Sequence, residues 1–370
     1  MRSGVPVVCA LLSASMLGLS AEDSGPHSVD WRIAEPGWQY VFPPDHHLHA
    51  DFKTEWWYFT GNLNDESGRR FGYEITFFRE GIRPPDQRQQ PISRFVVDQL
   101  KFAHFAITDA KGRRFLFQQK TSRGSFGEAG FDAGDRIAWL DDWGLSLNGD
   151  GSFDLEAQSG DVSARLHLVP AKRPVIHGEN GVSVKASAAG HASCYYSITR
   201  LGTTGTLRID NLTHPVTGES WFDHEWATNQ LAADEIGWHW LSVQFADGTE
   251  LMLYQMRLRN GGVDPSSSGT FIRSDGSTLH LSAADYGMRP TRFWKSDTTG
   301  AQYPISWQVD IPKLGLQLQV APVLENQELA LGPLTYWEGA VDIAGAAQGR
   351  GYLELTGYAS PMRTGTALFR

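Results

Sequence analysis

Short alternations of apolar and polar residues, bounded by glycine, proline, aspartate and asparagine, recur along the chain from residue 31 onward. Helical periodicity is almost absent from the same region. Alternation with a period of two is the pattern of a strand that has one buried face. We therefore predict an all-β protein, with strands at residues 56–63, 71–78, 102–108, 115–118, 162–169, 195–200, 205–209, 239–245, 250–257, 305–311, 315–320 and 351–357.

Two of the predicted hairpins resemble each other. Each has an aromatic strand, a turn with aspartate and glycine, and a second strand that carries tyrosine and ends in arginine, at residues 57–79 and 240–257. Such similarity is evidence for two related barrel-like units, although the turn spacing differs. Residues 170–190 contain several prolines and glycines and are the predicted crossing region. We expect an N-terminal domain at residues 30–185 and a C-terminal domain at residues 190–365.

Two aromatic regions place carboxylates and imidazoles beside indoles. The first reads DHHLH at residues 45–49 and TEWWY at residues 54–58; the second reads WFDHEW at residues 221–226 and GWHW at residues 237–240. A carboxyl group against an indole wall loses water, which raises its pKa and lets it keep a proton near neutral pH. We interpret these regions as two walls of a site for an apolar ligand.

In the first region, alternation sends Glu55 and Trp57 to one side of a strand and Trp56 and Tyr58 to the other. A buried Glu55 needs a partner such as Arg79 or a histidine, because an unpaired buried carboxylate is costly. A structural ion pair and a role in the site both stay open for Glu55. The histidines at residues 45–49 suggest a metal site, but hydrogen bonding in a cleft is the commoner role, and we predict no metal.

The second region is the better candidate for catalysis. Asp223 and Glu225 share one face of an extended strand, and two adjacent carboxylates cannot both ionise cheaply. One of them would keep its proton and act as a general acid at pH 7, protonating an alkene while indoles stabilise the carbocation. This chemistry needs no cofactor. Alternatively, these polar groups only tie together the mouth of a barrel that the tryptophans plug.

Composition and the N-terminus narrow the classes of function. The chain has 370 residues, of which 41% are hydrophobic, and can build one large or two smaller cores. A net charge of -10 with scattered basic residues argues against a nucleic-acid partner. Residues 1–21 begin with a single arginine, continue with an apolar stretch and end in Ser20-Ala21, the layout of a cleaved signal peptide. We therefore expect a periplasmic or secreted protein.

The chain resembles the AttH/carotenoid 1,2-hydratase family of lipocalin-like proteins, specifically its exported AttH branch, from about Trp31 to Tyr358. The resemblance rests on a long ordered set of motifs. They are DHHLH at 45–49, TEWWY at 54–58, TGNL at 60–63, WFDHEW at 221–226, GWHW at 237–240, YWEG at 336–339 and GYLELTGY at 351–358.

The resemblance implies two packed lipocalin-like β-barrel domains with a pocket at or near their contact. Hydratases of this family add water to a terminal isoprenoid double bond, and their implicated residues resemble His224, Trp226 and Tyr254 here. The family also has an acidic proton donor on the strand that carries Tyr254, whereas residues 251–257 contain no carboxylate. Asp223 or Glu225 would then take that role. The expected ligand-binding residues are Glu55, Trp57, Trp238, His239, Trp240 and Glu338, whereas alternation predicts a solvated Glu354.

Three functions from different classes follow from these features. The first is acid-catalysed hydration of an isoprenoid or lipid, as a hydro-lyase. The second is a non-catalytic periplasmic lipid carrier, which the resemblance associates with a permease-type exporter. The third is a secreted hydrolase, since paired carboxylates and tryptophan platforms also occur in glycosidases. Closed apolar barrels favour the first two.

Overall fold

The computed structural model describes residues 31–88, 96–188 and 190–362. These residues form two curled antiparallel sheets, and their helical elements are short 3-10 turns at Pro44–His46, Pro85–Gln87, Pro312–Leu314 and Gly332–Leu334. The all-β prediction is confirmed. The predicted signal peptide at residues 1–21 lies outside the described residues. In the described part of the chain, no helix has the length and apolar character needed to span a membrane.

The first sheet contains thirteen strands within the described residues. They are β1 (Thr54–Asp65), β2 (Arg70–Gly81), β3 (Gln99–Asp109), β4 (Arg114–Ser122), β5 (Ala129–Ala133), β6 (Arg136–Leu140), β7 (Trp143–Leu147), β8 (Phe153–Ser159), β9 (Val162–Pro170), β10 (Val175–Ile176), β11 (Ser183–Val184), β12 (Ala192–Ile209) and β13 (Leu212–Ala227). Their order is β4-β3-β2-β1-β13-β12-β9-β8-β7-β6-β5, with β10 and β11 beside β12.

The second sheet contains ten strands among the residues that the structure describes. They are β14 (Glu235–Phe245), β15 (Glu250–Leu258), β16 (Ser268–Ile272), β17 (Thr278–Ser282), β18 (Gly287–Lys295), β19 (Gln302–Ile311), β20 (Leu316–Pro322), β21 (Glu328–Leu329), β22 (Tyr336–Gly345) and β23 (Gly349–Leu355). Their order is β17-β16-β15-β14-β23-β22-β20-β19-β18, with β21 beside β22.

Every predicted strand falls wholly or largely in an observed one. The segments 195–200 and 205–209 are parts of the single long strand β12, whose pairing with β13 shifts register between Ile198 and Leu201. Both similar hairpins are present, as β1–β2 and β14–β15. Alternation located the strands well because one face of most strands packs against a continuous core.

The chain changes sheet later than the expected boundary between residues 185 and 190. Strand β13 pairs with β1 from Thr54 opposite Ala227 to Asp65 opposite Val216, and β12 pairs with β13. Both strands therefore complete the first sheet, and the second sheet begins only at Glu235. The glycines and prolines of residues 170–190 instead accompany the short strands β10 and β11, which lie against β12.

Each sheet encloses its own apolar core, and a third apolar cluster fills the contact between the sheets. Phe59, Phe77 and Phe222 belong to the first core, and Leu241 and Leu353 belong to the second. The third cluster joins side chains from β1, β12 and β13 to side chains from β14, β15, β22 and β23. Its members include Tyr58, Tyr195, Trp221, Trp240, Met252, Tyr254, Ala340 and Tyr352. Strands at this contact are thus buried on both faces.

Gly72 on β2 lets the two sheets approach closely. A Cβ atom at this position would lie 2.8 Å from the Cβ of Ala340 and 2.8 Å from the hydroxyl of Tyr352, both in the second sheet. Such a separation is shorter than two packed heavy atoms tolerate. The backbone of Gly72 therefore occupies space that no larger residue shares without displacing β22 or β23.

Replacing Gly72 with valine should destabilise the protein by about 1–3 kcal/mol, because overpacking forces the neighbouring strands apart. Urea unfolding followed by tryptophan fluorescence measures this free energy. Gly144→Val is the matched control, since Gly144 also lies in a strand and nothing lies within 4 Å of its added Cβ. Equal stability of both variants would contradict the proposed close contact.

Candidate functional site

A cavity of about 150 Å³ lies between the two sheets and is lined by residues from both. Its walls are mainly aromatic and apolar. Trp56, Phe78 and Phe102 contribute from the first sheet, and Trp240 and Met256 contribute from the second. The carboxyl groups that reach this cavity belong to Glu80, Asp223, Glu225, Glu338 and Glu354. Acidic groups in an apolar enclosure are the combination that the sequence suggested.

Strand β13 divides its side chains between this cavity and the first core. Asp223 and Glu225 line the cavity, as their shared face predicted. His224 and Trp226, expected to be catalytic, lie on the opposite face inside the first sheet, where Trp226 joins the apolar core. The correction follows from the period of two: neighbouring residues of an extended strand cannot reach the same cavity.

The same division applies to β1 and β14. Trp56 and Tyr58 line the cavity, whereas Glu55 and Trp57, expected to bind ligand, face the first core. Trp238 and Trp240 line the cavity as expected. His239 does not, because it lies between them on the other face, where its Nε2 is 2.7 Å from the hydroxyl of Tyr358 and its ring packs on Trp307.

Asp223 is the most completely bonded acid of the cavity. Its Oδ1 accepts hydrogen bonds from the Ser197 hydroxyl and from Nε1 of Trp221 at 2.6 Å. Its Oδ2 accepts one from the hydroxyl of Tyr195 at 2.7 Å, which itself accepts a bond from Nε1 of Trp240 at 3.0 Å. Burial raises the pKa of Asp223 to about 7, although these hydrogen bonds oppose the rise. Asp223 therefore carries an exchangeable proton near neutral pH.

His177 extends the hydrogen bond between Ser197 and Asp223 towards the second sheet. Nε2 of His177 lies 2.6 Å from Oγ of Ser197, and its Nδ1 lies 2.9 Å from Oγ1 of Thr270 in the second sheet. Since Ser197 donates to Asp223, it accepts from Nε2–H of His177, which leaves Nδ1 to accept from Thr270. This chain connects both sheets to the acid.

Glu225 has a different environment, although it lies two residues from Asp223. Its carboxylate forms an ion pair with Nζ of Lys185 at 2.9 Å and accepts a hydrogen bond from Gln230 at 3.0 Å. Nζ of Lys185 also lies 4.8 Å above the ring of Tyr195 and 4.2 Å above the ring of Tyr254. The two carboxyl groups therefore differ in their partners: Glu225 is ion-paired with Lys185, whereas Asp223 accepts hydrogen bonds from neutral groups and has a raised pKa.

Tyr254 and Glu338, both expected in the site, line the cavity. The hydroxyl of Tyr254 points away from the acids, because it donates to the backbone carbonyl of Val184 at 2.8 Å. The hydroxyl of Tyr58 donates to Oε1 of Glu338 at 2.5 Å. Burial, together with the nearby carboxyl groups of Glu74 and Glu354, raises the pKa of Glu338 well above its usual range.

Glu354 was expected in solvent but lies in the cavity. Its Oε2 accepts a hydrogen bond from Nε1 of Trp238 at 2.7 Å, and burial raises its pKa to about 7. Leu353 and Leu355 on either side face the second core, so alternation identified the opposite face correctly. What alternation could not show is that the first sheet covers this face.

Other cavity residues had no local sequence signal. Lys185 lies just after β11 and Tyr195 lies on β12, and only the pairing of those strands brings them beside Asp223. His104 on β3 and Tyr336 on β22 meet through a hydrogen bond of 2.7 Å between Nδ1 and the hydroxyl. Such contacts depend on long-range pairing, which a single sequence does not reveal.

A second polar cluster lies inside the first core, away from the cavity. Oε1 of Glu55 is 2.8 Å from Nδ1 of His49 and 3.0 Å from Nε2 of His224, and Oε2 is 3.4 Å from Nε of Arg79. The other ring nitrogen of His49 lies 3.1 Å from Oδ1 of Asp45. The structural ion pair considered for Glu55 is thus present.

The charges of this cluster are mutually compensated. Burial alone would raise the pKa of Glu55, but hydrogen bonds from His224 and His49 and the charge of Arg79 lower it well below its usual range. Burial opposes charge on His49, but hydrogen bonds to Asp45 and Glu55 raise its pKa. His49, Glu55 and His224 offer ligand atoms within 4.8 Å of one another, yet the adjacent Arg79 disfavours a second cation there.

A family model described as AttH-like matches residues 33–358. The chain is similar to a structure described as an AttH from Nitrosomonas europaea, with 33% identity, a TM-score of 0.80, and coverage of 88% of this chain and 99% of that chain. These matches confirm the resemblance and the lipocalin-like fold that the motifs indicated. No curated protein matches the chain.

Two more distant structures share the fold. Kievitone hydratase from Nectria haematococca matches with 12% identity and a TM-score of 0.68, over 87% of this chain and 93% of its own. CghA with Sch210972 matches with 11% identity and a TM-score of 0.51, over 90% of this chain and 98% of its own. At these identities the likeness concerns the fold alone.

Glu55→Gln should destabilise the protein by about 3–5 kcal/mol at pH 7, since it removes the carboxylate paired with the buried Arg79 and leaves His49 with Asp45 alone. Folding lowers the pKa of Glu55, so its contribution is complete above the unfolded value of about 4.3 and is lost as the pH falls. Urea unfolding from pH 7 to pH 3 should show the difference from wild type shrinking. The control is Glu66→Gln, at an exposed position; a similar loss there would contradict the assignment.

Proposed function

The chain belongs to the AttH-like family, and we propose that it is a hydro-lyase that adds water across a C=C bond of an apolar ligand held between its two sheets. The observation that carries this proposal is Asp223, a buried acid with a pKa raised to about 7 in an aromatic cavity. A general acid works best when its pKa lies near the working pH. Kievitone hydratase, which shares the fold, is named as a hydratase and supports the same reaction class.

The proposed reaction needs no oxidant or reductant. The carboxylic proton of Asp223 is transferred to one alkene carbon, and the electron pair of the double bond forms the new C–H bond. The other carbon becomes a carbocation, which the faces of Trp56 and Trp240 stabilise by cation–π attraction. A water molecule adds to this carbon and gives a proton to the Asp223 carboxylate. The product is an alcohol and the acid is restored.

The size of the cavity limits which part of a ligand reacts. A space of about 150 Å³ is of the size that encloses a benzene-sized ring, rather than a complete long-chain isoprenoid. A longer ligand would therefore insert one end, and a double bond near that end would meet Asp223. Chemistry at a terminal double bond, which the family resemblance implies, is compatible with this size.

A non-catalytic lipid carrier is the second candidate, and the apolar wall of the cavity supports it. Phe78, Phe102, Leu334 and Met362 offer contacts that bind an apolar ligand without chemistry. The apolar stretch at residues 5–19 supports export, in which case the carrier would serve a permease-type exporter. A hydrolase is less favoured, because the acids line an apolar cavity between two sheets rather than an open sugar cleft.

Asp223→Asn should abolish conversion while keeping the ligand bound, because the amide preserves shape but donates no acidic proton. Wild type and variant, purified from the exported fraction, would be compared by native mass spectrometry and lipid extraction. We expect the variant to retain a species that lacks one water relative to the wild-type extract. The control is Asp161→Asn, at an exposed position. Identical lipids in wild type and both variants would favour the carrier and contradict the hydratase.

The side chain of Asp223 should titrate near pH 7, where burial places its pKa. Difference infrared spectroscopy detects the carboxylic C=O band of a protonated acid, and subtraction of the Asp223→Asn spectrum isolates this residue. The band should be strong at pH 5 and decline as the pH rises past 7, and hydration should slow over the same range. A band that is already absent at pH 5 would rule out Asp223 as the acid.

A further inference from the structure

The cavity contains buried polar atoms that the proposed proton transfer does not use. Oε1 of Glu338 accepts the hydroxyl of Tyr58, but Oε2 has no hydrogen-bond partner in the protein. Nδ1 of His104 bonds the hydroxyl of Tyr336, but Nε2 also has no protein partner. Glu338 and His104 are each only 1% exposed, and both line the cavity.

These atoms indicate what the cavity is built to receive. A buried polar atom without a hydrogen bond is costly, and native structures contain few of them. Neither atom has a protein partner in hydrogen-bond geometry, although the hydroxyl of Tyr336 lies close enough to Glu338 to affect its pKa, so the contents of the cavity are the remaining source of a partner. The wall formed by Phe78, Phe102 and Leu334 is apolar, so a ligand that contacts Glu338 and His104 must also present apolar surface.

The charge state of the region selects against ions. Burial and the neighbouring carboxyl groups raise the pKa of Glu338 well above its usual range, which favours the protonated form that can donate a hydrogen bond, and burial lowers the pKa of His104 to about 3, which favours the neutral imidazole. Lys185 is the basic residue among the described cavity-lining side chains, and Glu225 neutralises it. An anionic ligand would therefore meet carboxyl groups without a free counter-charge.

Glu338 and Asp223 lie far enough apart to contact different parts of one ligand. Strand pairing places Glu338 opposite Glu354, and Glu354 opposite Trp240, so Glu338 lies two strands, or roughly 10 Å, from Trp240 along the sheet. The Trp240 indole in turn bonds the Tyr195 hydroxyl that contacts Asp223. A group bound at Glu338 thus leaves another part of the same molecule beside Asp223.

We infer that the ligand is an uncharged, largely apolar molecule that carries a carbonyl or hydroxyl oxygen, and that this oxygen accepts a hydrogen bond from Glu338 beside His104. The inference rests on the proposed function, because it names the substrate class for the same cavity. A pure hydrocarbon polyene would leave both polar atoms unpartnered. An oxygen-bearing ligand satisfies Glu338 and is anchored with its double bond away from the oxygen-binding region.

Two small probes of nearly equal shape test the inference without knowledge of the natural ligand. Cyclohexanone and methylenecyclohexane differ in C=O against C=CH2, and both match a ring-sized cavity. Their dissociation constants would be measured by NMR titration of the indole N–H signals in wild type, Glu338→Gln and Glu338→Leu. Glutamine keeps a hydrogen-bond donor of similar shape, whereas leucine removes it.

We expect Glu338→Leu to weaken cyclohexanone binding about tenfold, the value of one good hydrogen bond, and to leave methylenecyclohexane unchanged or tighter. Glu338→Gln should change either affinity less than threefold. In wild type, the infrared C=O band of bound cyclohexanone should shift to lower frequency, as for a hydrogen-bonded carbonyl. This last measurement does not depend on any variant being folded.

Any one of three results would overturn the inference. They are equal effects of Glu338→Leu on both probes, an unshifted carbonyl band of bound cyclohexanone, and no binding of cyclohexanone to wild type. These outcomes are independent of turnover. If Asp223→Asn leaves the bound lipids unchanged but the carbonyl preference is found, the hydratase proposal fails and the substrate class stands. If hydration is found without the preference for cyclohexanone, the hydratase proposal stands and the proposed substrate class fails.

Discussion

The pairing of β1 with β13 is the interaction on which the rest of the structure depends. It runs from Thr54 opposite Ala227 to Asp65 opposite Val216 and places the two aromatic regions of the sequence side by side. Trp57 meets His224 on one face, and Tyr58 meets Asp223 on the other. A shift by one residue would exchange the faces, moving the acids of the cavity into the apolar core. The register of β1 against β13 therefore decides which side chains enter the first core, the polar cluster around Glu55 and the cavity.

This pairing also explains which features could be predicted from the sequence. Alternation located the strands and correctly placed Asp223 with Glu225. It could not decide which face of a strand meets the cavity, because β1, β14 and residues 220–227 of β13 contain no exposed side chain that would mark an outer face at the contact, and both sides carry aromatic and polar residues. Glu55, Trp57, His224, Trp226 and His239 were therefore assigned to the wrong side, although each is buried.

The remaining site residues depend on tertiary contacts. The sequence around Glu354 is that of a strand with one apolar face, and nothing local distinguishes a solvated face from one covered by another sheet. Lys185 follows a two-residue strand, and its contact with Glu225 depends on how β11 lies against β12. The family resemblance supplied the cavity between the sheets, which periodicity alone could not. The alternation of apolar and polar residues thus predicted the strands, and the family resemblance predicted how the two sheets pack together.

The late change of sheet also affects how the protein folds. The first sheet is completed only when β12 and β13 join it, and β13 is separated from its partner β1 by nearly the whole length of the first unit. During synthesis, β1 therefore remains an aromatic edge strand without its neighbour until residue 227 has emerged. Contacts of such long range form slowly, and an exposed edge of this kind promotes association between chains. The first sheet can therefore be completed only after β13 has been synthesised.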